Sequence, residues 1–345
     1  MIQRLLRSRW LYVMMAGVMG LIYVRALCLH RVKGLEKTPA PSAETLEWWP
    51  SALDETSLKE AMARQPHLRI MLGALAACVG GLGLGGVALS LWGLWGGGMR
   101  AVWRVASRRL PSWSFGELWR ITLLVLAIAS SLPFVHFALL STWIGARPDP
   151  NLWTVSSMIL LDTFVILAIL TFAMGKRQRL WRALGLSVRR LSSSIAVGLR
   201  GYVAIFPWLF VLLALTLQAA RLLGLKPPAE PIQELIFQED RAGVLALTVL
   251  LACLIGPLAE ELFFRGVLYT AIRQRSSRLL ATLVSGAAFA LLHTNILGFL
   301  SIMLLGCLLA YLYERTGSLL SPLAVHILHN TLLMSLALVF RQLMS

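Results

Sequence analysis

The chain has 345 residues, 58% of them hydrophobic and 14% charged, with mean hydropathy +0.74 and a formal net charge of +16. A soluble domain of ordinary composition carries about 25% charged residues, so this composition excludes one. The positive charge lies in alternate loops rather than in one patch, which is a membrane-topology signal and argues against a nucleic-acid partner.

Repeated apolar stretches predict an all-α, polytopic transmembrane helix bundle of about nine spans. Arg4, Arg7 and Arg9 precede the first, Leu11–Leu29. With no small-x-small cleavage site after it, this span reads as an uncleaved signal anchor. Residues 30–69 form a polar segment outside the membrane, with a capping-box pattern at Ser57-Leu-Lys-Glu60. The second span, Ile70–Gly96, carries Gly81-x-x-x-Gly85, a spacing that permits close helix packing. Five arginines and one glutamate occupy Met99–Arg120. The spans Ile121–Leu140 and Val155–Gly175 carry His136 and Asp162, both read as interhelical hydrogen-bonding residues. Lys176–Arg200 holds seven basic residues and no acid, and its mixed stretch from Arg177 to Leu186 predicts an interfacial segment. After the span Tyr202–Ala220, Pro227-Pro228 marks an outside loop, because adjacent prolines cannot continue a helix.

Four spans follow: Val244–Ile272, Leu279–His293, Leu297–Tyr313 and Leu319–Phe340, the first two joined by a turn with Arg273, Arg275 and Arg278. All basic regions fall on one side, which makes that side and the N-terminus cytoplasmic. Arginine far outnumbers lysine, which points to a GC-rich genome and a bacterial inner (cell) membrane. Cys28, Cys78, Cys253 and Cys307 lie in or beside apolar runs without Cys-x-x-Cys spacing, and read as small core residues. There is no internal repeat of the kind that builds many transporters.

Glu260 and Glu261 break the sixth predicted span. A carboxylate at mid-bilayer costs roughly 2.5–3.5 kcal/mol even on the lenient insertion scale, so intramembrane ionisable residues are functional by default. Glu261 and Arg265 are four apart and share a helix face in the favourable order, whereas Glu260 is rotated about 100° from Glu261. Phe289 and His293 share a face of the seventh span, and His326 and Asn330 one of the ninth. Glu260 and His293 lie at similar distances, roughly 25 Å, from the basic turn, so they can face each other across an antiparallel hairpin. His293 nevertheless ends its span while His326 comes early in the last. The two meet only if a helix is tilted, short or re-entrant.

Glu260-Glu261-x-x-x-Arg265, Phe289-x-x-x-His293 and His326-x-x-x-Asn330, in this order on successive apolar segments, resemble the three motifs of the CAAX protease and bacteriocin-processing (CPBP) family of intramembrane glutamic endopeptidases. The resemblance covers roughly Leu180 to Phe340. It implies a protease core, residues 176–345; the apolar stretches before it give an N-terminal region, residues 1–175, of four spans. It implies that Glu260 is the general base that activates water, that His293 holds the water, and that His326 and Asn330 stabilise the oxyanion. Glu261 and Arg265 are then a supporting ion pair, with Arg265 meeting a substrate carboxylate as the alternative. Two histidines and two glutamates could ligate zinc, and the family was first described as metalloproteases. The His-Glu-x-x-His motif is absent, and the resemblance implies no required metal or other cofactor.

The expected activity is hydrolysis of a peptide bond in a membrane-associated protein or peptide. A proton-coupled transporter, or an idle membrane scaffold or immunity protein, is the alternative. The expected partners are the lipid bilayer and that protein or peptide substrate.

Overall fold

A computed structural model describes residues 11–15, 66–95, 110–145, 148–176, 191–223, 231–293 and 297–344, with a few single residues elsewhere. The signal anchor, the capping box at Ser57, the interfacial stretch from Arg177 and the Pro227-Pro228 loop lie wholly or largely outside the described residues. Within them every regular element is a helix: α1 (Pro66–Trp95), α2 (Phe115–Ile144), α3 (Pro150–Met174), α4 (Leu191–Leu222), α5 (Pro231–Gln238), α6 (Ala242–Arg273), α7 (Arg278–Leu292), α8 (Phe299–Thr316) and α9 (Leu320–Met344).

Seven of these, all but α5 and α7, are long and apolar enough to cross a membrane, which makes this a multi-pass integral membrane protein. Their outer faces are as apolar as their inner ones. Leu84, Phe134 and Trp143 are 78%, 76% and 91% exposed, and such helices are stable only in a lipid solvent. The expected seventh span, α7, has only 15 residues.

Helix ends follow from local chemistry. A capping box opens α2: Ser114 Oγ accepts from the Glu117 amide and the Glu117 carboxylate accepts from the Ser114 amide. Asp149 caps α3 with Pro150 in its first turn, and Ser277 caps α7. Gly317 ends α8 with φ 64°, a left-handed conformation that glycine adopts without penalty.

Glycines set the closest helix contacts, though not all where the spacing suggests. A Cβ on Gly81 would meet nothing within 4 Å. On Gly86 it would collide with the Val203 carbonyl oxygen and the Pro207 ring, so α1 meets α4 there. In α7 and α8, Gly286 and Gly306 face each other: a Cβ on Gly306 would lie 3.0 Å from the Gly286 Cα and 3.1 Å from Phe289 Cδ1. The α6–α7 turn is tied to α8 by Glu314, which accepts from Tyr269 Oη at 2.8 Å and pairs with Arg273 at 3.2 Å and Arg278 at 3.0 Å. A cavity of about 210 Å³ opens beside this cluster, lined in part by Ser112, Arg273 and Gln274, and includes no residue of the Glu260 constellation.

Helix α3 is held at both ends. At its start Arg241 pairs with Asp149 at 2.6 Å and with Glu239 at 2.6 Å, and Asn151 donates to Glu239 at 3.0 Å. The Arg241 guanidinium holds the Glu239 carboxyl down to about 2 and the Asp149 carboxyl below its usual range. Beyond the other end, Lys176 pairs with Glu117 at 2.7 Å and lies over the Trp113 ring. His136 Nδ1 meets Ser157 Oγ at 2.7 Å, the interhelical bond expected of it. Asp162 makes no such bond: it has no hydrogen-bond partner among the described residues.

Candidate active site

Helix α6 is not a uniform α-helix. Leu251–Ile255 and Leu262–Tyr269 are π-helical turns flanking the α-helical Gly256–Glu261. The wider turns re-aim the segment between them, and such bulges concentrate at functional sites. Pro257, with no N–H to donate, sits in the first turn of that central segment.

The two glutamates clasp one imidazole. Glu261 Oε1 accepts from His326 Nδ1 at 2.9 Å, and Glu260 Oε2 lies 3.5 Å from His326 Nε2. A rotation of about 100° between adjacent residues suits two carboxylates that straddle a ring. Glu261 and His326 are buried, whereas the Glu260 side chain is 31% exposed and reachable. The same Glu261 oxygen accepts from Arg265 at 2.7 Å. Arg265 is fully buried, donates to the Gly306 carbonyl at 3.2 Å, and lies 4.5 Å from the Phe289 ring centroid. Gly306 therefore admits Phe289 beside its Cα and offers Arg265 its carbonyl.

A carboxylate only accepts, so the bond to Glu261 fixes the proton on His326 Nδ1. Nε2 is then a lone pair in the neutral ring and an N–H donor in the imidazolium. With both glutamates ionised, Arg265 and an imidazolium balance the charge, the arrangement a low-dielectric site tolerates best.

Phe289 is the hub of the remaining residues. Its ring lies 4.9 Å from that of His293 and 5.5 Å from that of His326. This settles the depth of the two histidines: α7 is short, so His293, just past its end, comes down beside Phe289 to face the last helix's first turns. His293 Nδ1 donates to the Phe289 carbonyl at 3.0 Å, which leaves Nε2 of the neutral ring as an acceptor. Among the described residues no contact joins His293 to Glu260; the imidazole against Glu260 is that of His326. Asn330 donates through Nδ2 to the Ala252 carbonyl of the first π turn at 2.8 Å. That pairing, with His326 beside Glu260, shows that α9 runs antiparallel to α6, and it leaves Asn330 its second N–H. His329, next to the motif, is bonded to Tyr202 Oη at 2.9 Å. Among the described residues no three His, Cys, Asp or Glu side chains form a metal-holding group.

Sequence reasoning missed Gly306 and Ala252, because each contributes a backbone carbonyl, and a carbonyl carries no residue signature.

Comparison with known proteins converges on the same helices. Residues 242–332 match the family described as type II CAAX prenyl endopeptidase Rce1-like. The chain is 24% identical over 191 residues to the Bacillus subtilis protein named "Putative membrane peptidase YdiL", covering 52% of this chain and 69% of that protein. It is 31% identical over 133 residues to an uncharacterized 24.3 kDa protein of Escherichia coli, covering 36% of this chain and 61% of that protein. No solved structure matches the chain significantly. The matched segment begins with α6 and ends just past Asn330, so the C-terminal region of this polytopic membrane protein carries an Rce1-like domain of the CAAX protease and bacteriocin-processing family.

Proposed function

We propose that the protein is an intramembrane endopeptidase that cleaves a membrane-associated protein or peptide with water activated by Glu260. The observation that carries this reading is the partly exposed Glu260 carboxylate 3.5 Å from an imidazole that buried Glu261 and Arg265 hold in place. Residues 176–345 form the protease core, in a bacterial cell membrane, with the N-terminus in the cytoplasm and about nine spans in all.

The steps follow from the tautomers. Glu260 takes a proton from a water that His293 Nε2 also holds, and the water oxygen adds to the peptide carbonyl carbon. The carbonyl π electrons move to the oxygen, which receives His326 Nε2–H and the second Asn330 N–H. Glu260 returns its proton to the amide nitrogen as the C–N bond breaks, giving an acid and an amine. The Glu261–Arg265 pair holds the His326 ring in place and touches no substrate. No step is routed through a metal.

The test uses purified protein in detergent or bicelles and a library of membrane-anchored peptides. Wild type cleaves, and Glu260→Gln, correctly inserted and folded, does not. Normal turnover by Glu260→Gln would sink the mechanism.

A further inference from the structure

We propose that Asp162 is a positioning residue of this site, donating its carboxyl proton to the Glu260 carboxylate and aiming it at the water. The inference rests on the reading of Glu260 above. It goes beyond it in assigning a role to α3, which lies outside the matched segment 242–332.

Asp162 stands at the midpoint of α3, where an ionised carboxylate is most costly. No cation touches it among the described residues, and it has no hydrogen-bond partner there. Yet it is not placed against lipid. Its Oδ2 lies 3.5 Å from where a Cβ of Gly256 would sit, so the carboxyl fills the notch that this glycine leaves on α6. Glu260 follows Gly256 by one turn on the same face. Helical side chains lean toward the N-terminus, which carries the Glu260 side chain back over that notch. Glu261, next to Glu260 in the chain, is engaged with Arg265 and His326.

Charge counting then assigns the proton. No cation stands beside Asp162 among the described residues, so an ionised Asp162 would be an unpaired charge at mid-membrane. Asp162 enters as the neutral acid, which has one O–H to donate, and Glu260 has an oxygen to accept it. The bond is not made in this structure; a turn of the Asp162 side chain toward Glu260 would make it at one oxygen and leave the other for the water.

Asp162→Leu removes the donor in an apolar helix that tolerates leucine, and Asp162→Asn keeps a donor without a proton to lose. Asp162→Leu is expected to lower kcat roughly tenfold to a hundredfold with little change in KM, and Asp162→Asn to restore most of the loss. Wild-type kcat in Asp162→Leu, or equal losses in both variants, overturns the donor role. A second arm needs no turnover. The infrared carbonyl stretch of protonated carboxyl groups should lose one band in Asp162→Leu, and that band should shift in Glu260→Gln, where its charged acceptor is gone. A spectrum unchanged by Asp162→Leu, or a band unmoved by Glu260→Gln, overturns the proposal even if no peptide is cleaved. Full cleavage by Glu260→Gln defeats the endopeptidase mechanism instead, so the two failures are distinct.

Discussion

Glu261 Oε1 serves both Arg265 and His326, while Glu261 Oε2 and Arg265 Nε are buried without a hydrogen-bond partner. A buried pair so incompletely satisfied does little for net stability, and its value lies in holding the imidazole. Glu261→Gln leaves Arg265 buried without its counter-charge, so unfolding in detergent should show a loss of about 3–5 kcal/mol. Replacing both Glu261 and Arg265 by methionine should recover much of that stability yet leave cleavage abolished, because nothing then fixes His326. A double variant as unstable as the single one would contradict this. At the oxyanion, Asn330→Ala removes one donor and should lower kcat roughly 10²–10³-fold with KM little changed. A raised KM at constant kcat would make Asn330 a substrate-positioning residue. In the proposed mechanism no step uses a metal, so a strong chelator should leave the rate unaltered; loss of activity restored by stoichiometric zinc would overturn that.

The α7–α8 contact sets the position of Phe289 and of the Gly306 carbonyl, and hence of Arg265. A methyl at Gly306 would press on the Gly286 Cα and on Phe289, with no flexible chain end to yield on the backbone side. Gly306→Ala should therefore cost roughly 1–3 kcal/mol in detergent unfolding and reduce cleavage, although alanine is the better helix former. Gly73→Ala, on an open face of α1, should cost nothing. Equal effects of the two would refute the packing argument. This contact also marks the limit of what the sequence reveals. The Glu261–Arg265 pairing was legible, since a four-residue spacing on a helix is geometry. The three motifs were legible by residue type and order. The straddling of His326 was not, because it depends on two π turns that no residue pattern announces. Gly81-x-x-x-Gly85 pointed to the right helix, but the close approach centres on Gly86, since which glycine faces α4 depends on how α1 is rotated. Asp162 stood out as costly, but its relation to Glu260 exists only once α3 lies against Gly256.

At the scale of the whole molecule, α3 must keep its height against α6 for Asp162 to meet Gly256, and the charged clamp at its N-terminal end supplies that register. Arg241, 49% exposed, joins Asp149 before α3 to Glu239 before α6. The clamp should fail in acid with a definite sign. The Glu239 carboxyl is held at about 2 against an ordinary 4.5, so the folded state binds that proton less readily than the unfolded one. The stabilisation is fully present above about pH 4.5 and is lost as pH falls through about 2; the Asp149 carboxyl, also lowered, contributes in the same direction. Arg241 stays protonated throughout and contributes no pH dependence of its own. In Arg241→Ala both carboxyls return toward ordinary values. The difference in melting temperature between wild type and this variant should be constant from pH 7 to about 5, then shrink toward zero near pH 2. A difference that persists or widens in acid would mean that Arg241 stabilises the protein by packing rather than by charge. Because the clamp sets the register of α3 rather than the chemistry of Glu260, Arg241→Ala at neutral pH should lower kcat in the same sense as Asp162→Leu but less deeply. Combined with Asp162→Leu it should cost little more, since the second change removes the contact that the first one misaligns.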